Sequence, residues 1–239
     1  MNVLGFDTAT RATAVALRLA GGRTLEARDD PPAGAHPGHA TRLLELAEEL
    51  LGEAQIAWGD VGSLAVGVGP GTFTGLRVGL ATARGLAQSL GVGLAGVSSL
   101  RALAAGPGEA PGGVLAVIDA RRGEVFIAAY GGAGEELLPA RALAPGLLGE
   151  ALSGLGPVAG PWTAIGDGAL RYRGDIEAAR VLVPEDSSPL HLLRARAICE
   201  LALAGEPAGD YAAVLPDYRR LPDAELALAS APSAGVGGR

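Results

Sequence analysis

A glycine-rich stretch, GVGPGTFTGLRVG at 67–79, and three aspartates, Asp7, Asp119 and Asp167, carry the residue types best suited to chemistry in this chain. The stretch follows the apolar run SLAVGV (63–68) and leads into residues with helical spacing, so it joins a strand to a helix. At such a junction backbone N–H groups and the helix dipole can hold an anion, and glycine lets the backbone approach it. Gly69, Gly71 and Thr72 stand where they could do this, and Thr72 or Thr74 could cap the helix. A second reading is a tight turn, with Gly75, Gly79 and Ala83 as small residues that admit a close neighbour. The packing reading is the stronger one. The stretch has no lysine for a P-loop, and Pro70 and Thr72 interrupt the GxGxxG spacing. Each aspartate closes an apolar strand. In a nucleotide cleft such carboxylates would position Mg²⁺ and water; elsewhere a strand-end Asp organises its own turn.

Composition removes several classes of chemistry. The 239 residues include 19 basic ones, all arginine, so a Walker lysine, a kinase-type phosphate lysine and a Schiff-base lysine are excluded. A net charge of −7 opposes autonomous nucleic-acid binding, which depends on neutralising phosphates. Cys199 is the single cysteine, which excludes an intrachain disulfide and a Cys-based zinc site; its apolar neighbours mark it as core. His36 and His39 are spaced i,i+3, but Pro37 and Gly38 between them oppose a helix that would aim both rings together. His39 reads instead as part of a helix start, and Ser98-Ser99 as a cap for the helix after them. Apolar runs fall short of a membrane span, and MNVLGFDTAT lacks the basic start of a signal peptide, so a cytoplasmic location without membrane attachment is expected.

The elements that must position these residues follow from the pattern. NVLGFD (2–7) and ATAVALRL (12–19) read as strands, with a third at about 24–28; DDPPAGAHPGH then breaks regular structure. Apolar residues at Ala40, Leu43, Leu44, Ala47, Leu50, Leu51 and Ala54 predict a helix, and a second is expected at about 75–90. A short strand near 93–97 and a helix from Ser99 follow. The plan then restarts: VLAVIDARRGEVFIAAYGG (114–132) parallels VLGFDTATRATAVALRLAGG (3–22), and TAIGDG (163–168) echoes LAVGVG (64–69). Residues 189–204 read as a final helix. The echo predicts a duplicated α/β architecture with a cleft between the halves. The expected bounds are 1–105 for the first domain, 106–113 for a Gly/Pro-rich boundary, 114–229 for the second and 230–239 for a disordered tail.

The start LGFDTAT, the loop VGVGPGTFTGLRVGLATARGLA, the hairpin IDARRGEVF and the late PDYRRLPDAE together resemble the TsaB (YeaZ) family of bacterial tRNA threonylcarbamoyladenosine biosynthesis proteins. The resemblance runs in order over about 7–225, and the GPGTFTGLR loop is highly specific. It implies an actin-like (Hsp70/sugar-kinase-like, ASKHA) duplicated fold of two α/β domains with mixed sheets. It also implies a non-catalytic subunit that binds and supports TsaD. That paralogue moves a threonylcarbamoyl group from threonylcarbamoyl-AMP to adenosine 37 of tRNAs reading ANN codons. The ATPase TsaE joins the assembly, tRNA is met only through the complex, this chain needs no cofactor of its own, and a homodimer is expected in isolation. The catalytic paralogue holds a metal with an HxxxH pair, which this chain lacks.

In the family the first two helices of the N-terminal domain form the partner-binding face. The residues expected to supply it here are Leu43, Leu44, Leu46, Ala47, Leu50 and Leu51 on the first helix and Gly75, Leu76, Gly79, Leu80 and Ala83 on the second. Coverage of the sheet alone would produce the same apolar count. Two other functions compete: a stand-alone ATP-dependent enzyme of the actin-like superfamily using Asp7, Gly69, Gly71, Thr72, Asp119 and Asp167, and a metallopeptidase, weakened by the histidine spacing.

Overall fold

Strand β1 (Asn2–Asp7) is buried along both faces because its alternate residues serve two different cores. Leu4 and Phe6 pack on one side, while Val3 and the Cα of Gly5 meet the other. The computed structural model describes residues 1–32, 34–106, 112–155, 158, 160–205 and 210–219. Around β1 lie β2 (Thr13–Arg18), β3 (Thr24–Asp29), then helix α1 (His39–Ala54), β4 (Val61–Gly69), α2 (Phe73–Leu90), β5 (Gly93–Ser98) and α3 (Ser99–Ala105). The first sheet has the order β3-β2-β1-β4-β5, with antiparallel β1–β2–β3 and parallel β1–β4–β5.

The second half repeats the plan. Strands β6 (Val114–Arg121), β7 (Glu124–Tyr130) and β8 (Glu136–Leu143) form an antiparallel meander, and β9 (Thr163–Ile165) adds parallel to β6, giving β8-β7-β6-β9. Short helices α4 (Leu148–Ser153), α5 (Asp167–Arg171) and α6 (Arg173–Ala178) precede α7 (Ala195–Ala204). In each half the first strand carries an aspartate at or near its end, Asp7 closing β1 and Asp119 two residues before the end of β6, pairs back through a hairpin and takes a parallel neighbour on its other edge. Parallel strands covered on both faces read as continuous apolar runs, which is why 63–68 was legible as a strand. Residues 107–111 of the expected boundary, 220–225 of the late motif and the expected tail at 230–239 lie outside the described residues.

Three features differ from expectation. Residues 189–204 are not one helix: Pro189–His191 form a single 3-10 turn, and α7 starts only after Arg194, whose backbone is extended. Helix α7 comes from the second half of the chain yet covers the first sheet, its Ala195, Ala197, Ile198 and Cys199 packing on Val3, Ala14, Ala16 and Ala65. Glu26 of β3 fixes this placement. It accepts the Arg196 N–H at 3.2 Å, inside the first turn of α7, and pairs with Arg194 at 2.5 Å. Strand β8 and helices α4 to α6 had no sequence signal, because EELLPARAL does not alternate and the helices are at most six residues long.

Candidate functional site

Asp7 closes β1, and its carboxylate is consumed where it stands. Oδ1 accepts the Ala9 N–H at 2.7 Å and Oδ2 accepts the Ser99 hydroxyl at 2.5 Å. Ser99 Oγ in turn accepts the Gly69 N–H at 3.1 Å. The slot holding the carboxylate exists because residue 67 is glycine: a Cβ there would lie 1.7 Å from Asp7 Oδ2. Of the two serines read as a cap, Ser98 does cap α3 through the Arg101 N–H. Ser99 joins the ends of β1 and β4, a role no spacing in the sequence could reveal.

The glycine-rich loop packs directly on the turn after Asp7. The Thr72 N–H donates to the Ala9 carbonyl at 2.7 Å, and the Thr8 hydroxyl donates to the Gly75 carbonyl, also at 2.7 Å. Built Cβ atoms at Gly71 and Gly75 would come within 2.4 and 1.9 Å of the Ala9 and Thr8 carbonyl oxygens. Gly69 has φ +99°, a conformation open to glycine and rarely to other residues. Thr72 is the N-cap residue of α2 by backbone conformation, and its side chain makes no capping bond. The space beside Gly71 and Gly75 is filled by residues 8 and 9, and that beside Gly69 by Leu76.

In the second half, Asp119 repeats the Asp7 turn. Its Oδ1 accepts the N–H two residues on, of Arg121, at 2.9 Å. Its Oδ2 lies between two guanidiniums, Arg121 at 3.2 Å and Arg171 at 3.4 Å. Asp167 Oδ1 accepts the Asp119 N–H at 3.0 Å. Asp167, unlike Asp7 and Asp119, lines a cavity of about 280 Å³ between the two sheets, walled also by Thr10, Arg28, Leu103, Ile118 and His191. The six residues expected to form one anion cleft therefore fall into separate local networks. Asp7 and Asp119 each accept donors of the fold itself, and Asp167 is the acid of the three that lines the cavity. Among the described residues, no group of three or more His, Cys, Asp or Glu is placed to hold a metal ion.

Burial pushes the Asp7 and Asp167 carboxyls above the ordinary 3.8, and the neighbouring charge of Asp119 adds to the rise at Asp167. Burial lowers the His39 imidazole below 6.5; its Nδ1 lies 2.9 Å from the Thr13 hydroxyl at the start of α1. The signs are opposite. The native state keeps the two carboxyl protons to higher pH than the unfolded chain, so their contribution declines as pH rises from 3.8 through the raised values. The native state resists protonation of His39, so its contribution is intact above 6.5 and declines as pH falls through the lowered value. Denaturant titrations across pH should show both limbs, with Asp167→Asn flattening the first and His39→Gln the second. Unchanged limbs in these variants would assign the pH dependence to other groups.

The expected partner-binding residues need correction. Leu43, Leu46, Ala47, Leu50 and Leu51 of α1 and Gly75, Leu76, Gly79, Leu80 and Ala83 of α2 are all buried. Of the expected set Leu44 alone is exposed, at 40%. The buried leucines and Ala47 of α1, with Leu80 and Ala83 of α2, pack in one core with Leu4, Phe6, Leu64 and Val66, while Gly75 and Gly79 lie against Thr8 and Leu76 beside Gly69. The excess of aliphatics on α1 is a wide core stripe. The uncovered outer faces are Leu44, Glu45, Glu48, Glu49 and Glu53 on α1, and Arg77, Ala81, Gly85, Gln88 and Ser89 on α2. No helix among the described residues is long and apolar enough to cross a membrane.

Two mixed sheets built on one plan, with a cavity between them, define an actin-like duplicated α/β protein. The chain superposes on the ethanolamine utilization protein EutJ of Carboxydothermus hydrogenoformans with a TM-score of 0.51, at 13% identity over 83% of this chain and 88% of that one, a likeness of fold alone. The YeaZ structure from Pseudomonas aeruginosa matches with a TM-score of 0.69 and 31% identity, covering 90% of this chain and 100% of that chain. The tRNA threonylcarbamoyladenosine biosynthesis protein TsaB of Escherichia coli (strain K12) is 38% identical over 137 residues, 54% of this chain and 55% of that protein. That match spans about half the length of the curated relative. The model of the family described as TsaD, tRNA N6-adenosine threonylcarbamoyltransferase, matches residues 31–154, just over half of the chain. The chain belongs to the TsaB (YeaZ) family.

Proposed function

We propose that this protein takes part in forming N6-threonylcarbamoyladenosine on tRNA as a non-catalytic subunit, docking on a TsaD-type transferase and supporting the transfer. The observation that carries the non-catalytic reading is the state of the strand-end acids. Asp7 is closed in by Ala9, Ser99 and Gly67, and Asp119 by Arg121 and Arg171. The family's naming supports the pathway. The outer faces of α1 and α2, free of cover among the described residues, support docking there. A charge of −7 fits a subunit that leaves the tRNA phosphates to others.

Size-exclusion chromatography with light scattering, with and without the same organism's TsaD-type subunit, tests the reading. A heterocomplex should replace any homodimer, and this chain alone should transfer no threonylcarbamoyl group to tRNA. Turnover without the transferase, or no complex even with TsaE, ATP and tRNA present, overturns it. The competing ATP-dependent enzyme is tested by calorimetry, in which millimolar Mg-ATP should give no saturable heat with the isolated chain.

A further inference from the structure

The chain holds 3 Phe, 4 Tyr and 2 Trp, and the fold sets two of these side by side in solvent. Phe73, in the first turn of α2, is 37% exposed and Tyr218 is 41% exposed, with ring centroids 5.3 Å apart. Arg77, one turn further along α2, lays its guanidinium 3.7 Å from the centroid of the Phe73 ring, and its Nε donates to the Tyr218 hydroxyl at 3.3 Å. Leu215, 66% exposed, belongs to the same returning segment. That segment is firmly held: the Asp217 N–H donates to the Val68 carbonyl at 2.8 Å, Arg84 donates to the Val214 carbonyl at 2.6 Å, and the Val214 side chain enters the first core. The aromatics are therefore presented by a fixed scaffold.

Arg77 is pre-set rather than satisfied. Its stack and its Nε bond fix the plane of the guanidinium, while its two terminal amino groups have no hydrogen-bond or ion-pair partner among the described residues. A guanidinium held flat, with both amino groups unpaired among the described residues, matches a carboxylate in two-point contact. The surrounding rings and Leu215 offer apolar surface, the composition of an interface anchor.

We propose that Phe73, Arg77, Leu215 and Tyr218 form an anchor site on the docking surface, receiving from the partner protein a carboxylate side chain flanked by apolar ones. The inference rests on the docking function proposed above. The occupant is a protein, because the neighbouring outer face of α1 carries Glu45, Glu48, Glu49 and Glu53, which would repel a run of nucleic-acid phosphates. A protein surface can place basic groups against α1 and one carboxylate on Arg77. The two helices start at one end of the sheet, α1 with His39 against Thr13 and α2 with Gly75 against Thr8, so their exposed first turns can meet one partner.

The test is a binding titration of the TsaD-type subunit with the wild-type chain, Arg77→Glu, Arg77→Gln, and the double variant Phe73→Ala/Tyr218→Ala. Leu182→Ser, at an exposed site in the second half, serves as a control. Circular dichroism and denaturant midpoints report whether each variant is folded. Arg77→Glu and the double variant should weaken binding about tenfold or more, Arg77→Gln less, and Leu182→Ser not at all. Wild-type affinity in folded Arg77→Glu and in the double variant overturns the anchor site while leaving the docking function standing. Absence of wild-type binding overturns the docking function and the anchor with it. Loss of tRNA binding by Arg77→Glu with partner affinity unchanged would reassign the patch to nucleic acid and also overturn the proposal.

Discussion

Replacing Gly75 by alanine should cost about 3 kcal/mol or more of folding stability, while the same change at Gly85, in the same helix, should add about 0.5–1 kcal/mol. The difference is entirely one of surroundings. A Cβ at Gly75 would lie 1.9 Å from the Thr8 carbonyl oxygen and 2.6 Å from Thr72 Oγ1, whereas Gly85 has nothing within 4 Å. The obstacle at Gly75 is backbone, so no rotamer change relieves it. The turn after Asp7 would have to move away from α2. Moving it breaks the bonds from Thr8 to Gly75 and from Thr72 to Ala9, each worth about 1 kcal/mol, and opens the packed core beneath. In a fold with about 5–15 kcal/mol of stability this is a large fraction. At Gly85 a methyl group meets solvent and the helix gains propensity. Urea midpoints of the two variants decide the matter. A Gly75→Ala midpoint close to wild type would mean that the loop does not rest on the turn as described.

The same contrast explains how far the sequence could be read. Strand-end acids, hairpins and buried parallel strands were legible because burial on both faces leaves an unbroken apolar run, as at 63–68, and because the plan occurs twice. The choice between anion cradle and packing for GPGTFTG depends on what fills the space beside the glycines. That neighbour is the turn at Thr8–Ala9, more than 60 residues away in the chain. The residues expected on the partner face are buried, apart from Leu44, for a related reason. Leu43, Leu46, Leu50 and Leu51 announce a hydrophobic face, and a hydrophobic face on a helix serves the nearest sheet before it serves a partner. What remains for a partner is the less conspicuous side: Leu44, the glutamates, and the small residues of α2. The Phe73–Arg77–Tyr218 cluster joins residues in two of the motifs that carried the family resemblance, yet no spacing brings Tyr218 back to α2. That return depends on Val214 entering the first core and on Arg84 holding two carbonyls of the segment.

If the outer face of α2 is the contact surface, Gly85→Trp should reduce affinity for the TsaD-type subunit by about a hundredfold or more while leaving the fold intact. Packed helices approach to about 8–10 Å between axes, and the closer end of that range requires small side chains at the contact. Ala81, Gly85 and Ser89 provide them on the exposed side of α2. An indole at Gly85 would project into open solvent in the free chain, so unfolding midpoints should stay at or above the wild-type value. In a complex it would hold the partner's helix off, losing close contact over the whole face rather than at one residue. The variant also separates two ideas that chromatography of the wild-type chain leaves joined. If homodimer and heterocomplex are lost together, one face serves both and the two assemblies must compete. If the homodimer is lost and the heterocomplex survives, the partner is held elsewhere, and the exposed small residues of α2 belong to self-association alone.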